Sequence, residues 1–409
     1  MAWTTFRLMV TTPLFNGDDP TTGLHASSLR GTMHHWFRAL AATRAGNDVT
    51  ALARAEQAVF GSTRRASPVR IRLSGQPTGN MLVKPGPSTL ISGDHGKWVG
   101  YLLGQGLTRY DSSTKRVLLT RPYTRPGHSF VLRIGFSGNE EVDALFLASL
   151  WLACTYGGFG ARTRKGFGGV RLTHEDGDDL PGPWREHSPN TPRLAHYQEL
   201  DHLPLTGPIR ECADLLWKVM PVPADDAHGR APVYPALGQD NTTAVLGGPH
   251  GDTWQEVATE SGELYRRFRA SRDHPHTKKN YEPKIKTPEH HTVVHGRDTR
   301  FPLGALGLPV NYQSDAVVNV FQDGEHARRA SPLWLRFVGG EGEEVRLFSF
   351  AFLNPFLPKG GGVRVRAEGR AIKPDGSRTV TVEDTDVRDR VGAWLKLTRI
   401  PVGPGSDQE

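Results

Sequence analysis

Residues 130–172 read FVLRIGFSGNEEVDALFLASLWLACTYGGFGARTRKGFGGVRL, and their periodicity decides the fold. Phe130, Leu132, Ile134 and Phe136 recur at every second position, the period of a half-buried strand. Val142–Cys154 is apolar almost without a break, which predicts a helix packed on a sheet. Gly157–Gly169 is a glycine-rich loop, and Val170–Leu172 reads as a closing strand.

Working outward towards the N-terminus, Phe6, Leu8 and Val10 alternate within a strand expected over Thr5–Leu14. Asn16–Gly23 is a turn-rich loop. A helix follows, with Ser27 or Ser28 as its cap and Leu29, Met33, Trp36, Phe37 and Leu40 on one apolar stripe. A second helix over Val49–Val59 ends at Gly61. Val69–Leu73 alternates as a strand, with Arg70 and Arg72 on its outer face. Residues 76–125 form a long insertion with a basic tip at Lys115 and Arg116. The order is strand, helix, strand, strand, helix, strand. That is the ferredoxin-like arrangement, whose helices cover one sheet face and leave the other free, as in RNA-recognition (RRM-like) domains. The usual aromatic RNA-stacking signatures are absent, so no base stacking on that sheet is predicted. Residues 174–208, rich in Pro, Asp and Gly, are expected to be a linker. Residues 209–405 are expected to form a second α+β domain. Its helices are predicted over 254–272 and 384–397, its strands over 331–338 and 345–352, and a basic insertion over 266–300. The fold class is therefore α+β, in two domains (1–173 and 209–405) with long insertions.

The chain has 409 residues, enough for two cores of ordinary size. Its formal charge of +7 favours an anionic partner without saying anything about the fold. Cys154 and Cys212 are the only cysteines, too few for a disulfide framework or a four-thiolate zinc site, and a reducing cytoplasm is the expected compartment. The N-terminus lacks the pattern of a signal peptide. The longest apolar run, 144–156, is shorter than the ~20 residues that span a bilayer, so no membrane association is expected.

Three features point to chemistry. In the glycine-rich loop, Gly158, Gly160 and Gly166 free the backbone for close approach to a ligand, and Arg162, Arg164 and Lys165 add charge. No Gly-Lys-Ser/Thr closes it, so it is no P-loop, and the dinucleotide fingerprint is absent too. Backbone amides and cations together predict contact with RNA phosphates. Secondly, Arg30, His34 and Arg38 recur every four residues beside the apolar helix stripe and are expected to line the RNA groove. Thirdly, 266–300 carries ten Lys or Arg against four acids, with Lys278 and Lys279 as candidate contacts in a loop that orders on RNA. His291 and His295 lack the intervening Glu of a zinc helix, so no metal or other cofactor is expected. Asp18 and Asp19 read as a turn rather than a metal-holding pair.

The stretch Thr12-Pro13-Leu14-Phe15, then Ser28-Leu29-Arg30-Gly31, Trp36-Phe37-Arg38-Ala39-Leu40, Phe60-Gly61-Ser62-Thr63 and Val69-Arg70-Ile71 resembles the RAMP proteins of CRISPR–Cas systems. The pattern is most similar to the large first subunit of type III-B (Cmr) effector complexes. Leu306-Gly307-Leu308-Pro309 and Arg328-Arg329-Ala330-Ser331-Pro332-Leu333 extend the similarity downstream. The resemblance implies two ferredoxin-like RAMP domains, CRISPR RNA and target RNA as ligands, and other Cmr-type RAMP subunits as partners. It implies a binding role without catalysis, in defence against invading RNA. Asp18 falls in the loop region where cleaving relatives keep an aspartate, but its surroundings resemble the non-cleaving subunit. The alternative reading is a metal-independent endoribonuclease that processes CRISPR precursor RNA, with His34 or His35 as general acid or base on a ribose 2′-OH.

Overall fold

The computed structural model describes residues 3–16, 23–177, 180–203, 205, 207–220, 232–270, 288–296, 298–312, 316–357, 362–372 and 376–399. In the N-terminal half, strand β1 (Thr4–Val10) leads to helices α1 (Ala26–Ala45) and α2 (Val49–Phe60), then to β2 (Arg70–Ser74). The insertion contributes β3 (Leu82–Val83), α3 (Gly93–Leu103), β4 (Thr108–Asp111), β5 (Arg116–Leu119) and β6 (Tyr123–Thr124). Next come β7 (Ser129–Gly135), α4 (Glu140–Thr155) and β8 (Val170–Asp176). The main sheet is antiparallel throughout, in the order β2-β7-β1-β8. Phe6, Leu8, Val10, Phe130, Leu132 and Ile134 point from one face into the core beneath α1 and α4. Arg7, Arg70, Arg72 and Arg133 occupy alternate positions, hence the opposite face.

Short helices α5 (Ala195–Gln198) and α6 (Pro208–Val219) follow. The C-terminal half then runs β9 (Thr242–Gly251), α7 (Trp254–Ala270), α8 (Pro288–His295), β10 (Val310–Asn311), β11 (Val317–Gln322), β12 (Glu325–Ala327), β13 (Leu333–Gly339), β14 (Val345–Phe352), β15 (Val363–Glu368), β16 (Ser377–Val380) and α9 (Asp384–Arg399). Strands β13-β14-β9 form one sheet, and β10-β11-β15-β16, with β12 on β11, form another. Alternation along β13 explains how the halves meet. Leu333, Leu335 and Phe337 join the second core, whereas Trp334 and Val338 face the first. The inward face carries Phe348, Phe350 and Phe352 against Trp36 and Tyr197, with Tyr197 and Phe348 ring centres 4.9 Å apart. Neither half keeps a core to itself.

Several expectations need correction. Helix α1 begins two or three residues early: His25 is its cap residue, and it makes no side-chain cap bond, so neither Ser27 nor Ser28 caps it. The first strand stops at Val10, and Leu14 pairs instead with Thr124 of the insertion. The insertion packs on the C-terminal half, where Val99, Leu103 and Leu119 are buried in its core. The expected linker is packed too: Trp184, Tyr197 and Leu203 are buried in the first core, which a spacer between independent domains would not be. Among the described residues no helix is long and apolar enough to cross a membrane.

Candidate nucleic-acid interface

The glycine-rich loop sits between the halves rather than at the open sheet. Its backbone is largely committed within the protein. Phe159 N–H donates to Gly168 O (2.8 Å), Ala161 N–H to Phe15 O (2.6 Å), and Gly168 N–H to Pro13 O (2.9 Å). Lys165 pairs in parallel with Leu335, and Leu335 N–H donates to Arg164 O. The glycines answer to packing. Gly158 lies beside the Arg336 guanidinium, and Gly166 lies under the Phe337 ring. Gly160 has φ +85°, and a Cβ there would stand 2.2 Å from Phe15 O. The expectation that these amides point at phosphates is therefore corrected. The same passivated backbone holds the loop tightly against two elements at once.

The charges fare differently. Arg164 lies over the Trp334 ring (4.6 Å) and Lys165 over Tyr265 (3.9 Å). Arg162 reaches the turn after α3, where a Cβ on Gly104 would lie 2.9 Å from its Nη2. Among the described residues none of the three has a carboxylate partner. Desolvation, then the nearby Arg328, holds Arg162 below the usual guanidinium range. Desolvation, then Arg329, brings Arg164 to about 10. Burial, with Arg269, Arg162 and Arg164 adding repulsion, pushes Lys165 well down. Among the described residues, Asp384 opposes the cluster, through Arg329. Arg328 and Arg329 come from the segment before β13, so both halves contribute cations. Crowded cations without counter-charges are held at a cost unless an anion joins them.

The helix stripe is mostly satisfied internally. Arg30 donates to Val69 O (2.7 Å) and Phe60 O, tying α1 to the start of β2. His34 and Arg38 share Glu56 of α2, and the His34 ring lies 4.2 Å from that of Phe60. Nothing in the sequence pattern singled out Glu56, because it stands on a different helix. His35 is stacked on Trp334, and burial, then Arg164 and Arg38, lowers its pKa to about 4. It is neutral at pH 7, and its Nε2 is shut away from solvent without a partner among the described residues. His35 is thus not presented as an acid or base to a substrate, whereas His34 contacts Glu56 through Nδ1.

Arg70 and Arg72 lie on the exposed edge strand as expected, with Arg72 opposite Arg133 and 4.7 Å from the Trp3 ring. They form a second basic surface and do not join the loop cluster. Of the basic insertion, α7 covers 266–270, α8 covers 288–295, and Arg300 pairs with Asp386 at 2.7 Å. Lys278, Lys279, Asp18 and Asp19 lie outside the described residues. Among the described residues no cluster of three His, Cys, Asp or Glu is placed to hold a metal.

The RAMP superfamily model matches residues 7–171, a span that closes on the glycine-rich loop and β8. The CRISPR system Cmr subunit Cmr1-2 of Pyrococcus furiosus is 33% identical over 177 residues, 41% of this chain and 93% of that protein. Cmr subunit Cmr1-1 of the same organism is 26% identical over 252 residues, 60% of this chain and 65% of the relative. The crystal structure of Cmr1 from Pyrococcus furiosus in its apo form aligns over 97% of both chains, with a TM-score of 0.55 and 18% identity, a likeness of fold. The chain belongs to the RAMP superfamily, among the Cmr1 subunits of type III-B CRISPR systems.

Proposed function

We propose that this Cmr subunit binds RNA without cutting it, in a ribonucleoprotein with CRISPR RNA, target RNA and other RAMP subunits. One observation carries the reading. Arg162, Arg164, Lys165, Arg328 and Arg329 gather where the two halves meet, and the described residues offer them only Asp384. Their depth is graded. Arg162 and Arg328 are exposed at the mouth, while Arg164 and Lys165 lie further in. A polyanion whose charge is regularly spaced suits such a track, and phosphate contacts of this kind favour affinity over base readout. The neutral, buried His35 supports a binding role over a cleaving one.

The reading takes the N-terminal unit as ferredoxin-like, which its strand order β2-β7-β1-β8 with intervening helices supports. It takes the C-terminal half as a partial copy. The series β9, α7, β13, β14, α9 repeats the first five elements of that pattern, with β14 between β9 and β13.

Binding of a fluorescent single-stranded 20-mer RNA tests the proposal. Arg162→Ala combined with Arg328→Ala is expected to weaken affinity at least about tenfold while leaving the melting temperature nearly unchanged. Unaltered affinity in that variant contradicts it.

A further inference from the structure

The two outer strands of the first sheet, β2 and β8, end it in different ways. Beyond β8, residues 190 and 191 take the place of a further strand. Thr191 N–H donates to Leu172 O (2.9 Å), Leu172 N–H to Thr191 Oγ1 (2.8 Å) and His174 N–H to Asn190 Oδ1 (2.6 Å). Among the described residues nothing of the kind covers β2. Its only strand partner there is β7, and no other backbone segment bonds to Arg70–Ser74. An open edge is a row of unmatched N–H and C=O groups, a template on which another chain can pair.

The side chains of β2 say which chain. Arg70 and Arg72 are exposed on the outward face, and Arg72 stands directly across from Arg133 of β7. Like charges opposite one another in a sheet destabilise it. Arg72 rests over the Trp3 ring (4.7 Å), but among the described residues none of Arg70, Arg72 and Arg133 has a carboxylate partner. Glu175, on the same face, is taken by Arg7 at 3.2 Å. Arg64 and Arg65, exposed in the turn that leads into β2, add to the charge. On the other face, Ile71 and Leu73 are only partly buried at the rim of the first core.

The edge therefore alternates cationic and apolar residues, with side chains of one face about 7 Å apart. Charge on an edge strand turns most partners away. It accepts one whose acids recur at every second residue and whose intervening residues are apolar. A nucleic acid would match the charge, but it has no amide ladder to pair with the edge and no apolar row to cover Ile71 and Leu73.

We propose that β2 is a docking edge for an extended acidic segment of another protein. The segment adds to the sheet as a fifth strand, with carboxylates beside Arg70 and Arg72 and apolar residues beside Ile71 and Leu73. The backbone ladder supplies affinity, and the charges select the partner.

Fluorescence anisotropy on the purified full chain tests it, with a labelled ten-residue peptide alternating glutamate and valine. The peptide is expected to bind with a Kd below about 100 μM. A peptide of the same composition with its glutamates in one block should bind about tenfold more weakly. Arg70→Glu combined with Arg72→Glu should abolish binding and take up the lysine–valine counterpart instead. Thermal unfolding checks the fold of that variant, and Arg70→Ala with Arg72→Ala, expected to weaken binding about tenfold, replaces it if it unfolds. Hydrogen exchange should slow at the amides of residues 70–74 when the peptide is bound. No binding, equal binding of the two glutamate peptides, or unaltered affinity in the variants overturns the proposal. So does an oligouridylate 10-mer that these variants weaken while the peptide fails to bind, which would assign the face to RNA.

Discussion

At the scale of single residues, Arg162 of the glycine-rich loop and His35 of α1 stand in opposite relations to the fold. Arg162 is at the surface and makes no ion pair among the described residues, so removing it touches binding more than stability. His35 is the reverse. Its pKa of about 4 lies below the ordinary histidine value of 6.5, so the unfolded chain binds the proton more readily than the folded one. Stability is thus full above pH 6.5 and is lost as pH falls towards 4. The loss expected is about 2 kcal/mol after allowing for residual solvent contact. Urea unfolding from pH 7 to pH 4 checks this: His35→Phe, which keeps a ring on Trp334, should flatten that part of the curve. An equally steep curve in the variant would place the titration elsewhere.

At the scale of elements, the glycine-rich loop shows how far sequence reasoning reached. Its residue types located it correctly as the junction of α4 and β8 and as a centre of positive charge. What they did not convey is which atoms face outward. Six glycines suit either an open anion cradle or a chain pressed between neighbours, and only the partners decide. Here Phe15, Phe337 and Arg336 decide for close packing, and two of them come from more than 160 residues away in the chain. The stripe Arg30, His34, Arg38 was read without its partners for a similar reason. Helical spacing places three side chains together but is blind to Glu56 on the adjoining helix. By contrast, period-two alternation gave β2 and β7 to within one residue at each end, because a purely local pattern sets that signal. If the loop glycines serve packing, Gly160→Ala should cost about 2–4 kcal/mol through backbone strain and collision with Phe15. Chemical denaturation measures it. A variant of native stability that lost only RNA affinity would restore the open-cradle view.

At the scale of the molecule, the two halves are stitched by aromatic rings rather than joined by a tether. Trp36 and Tyr156 of the N-terminal half pack on Trp334, Phe348 and Phe350 of the other. Segment 174–208 covers the same surface with Trp184 and Tyr197. This is why composition mistook it for a linker: Pro, Asp and Gly mark turns, and turns can be pinned by a few buried rings as well as left free. A fragment ending at residue 173 should therefore expose that surface, bind a hydrophobic dye and lose a cooperative melting transition. A soluble fragment with a sharp transition would show an autonomous first domain. The same stitching makes the cation cluster a property of the assembled chain, since Arg328 and Arg329 meet Arg162 and Arg164 only when the halves are closed. The most direct test of that cluster is the salt dependence of RNA affinity. With Arg162, Arg164 and Lys165 all changed to Ala, the slope of log K against log salt for single-stranded RNA should become shallower by about 2. An unchanged slope in a folded variant would mean that these cations do not meet the phosphates.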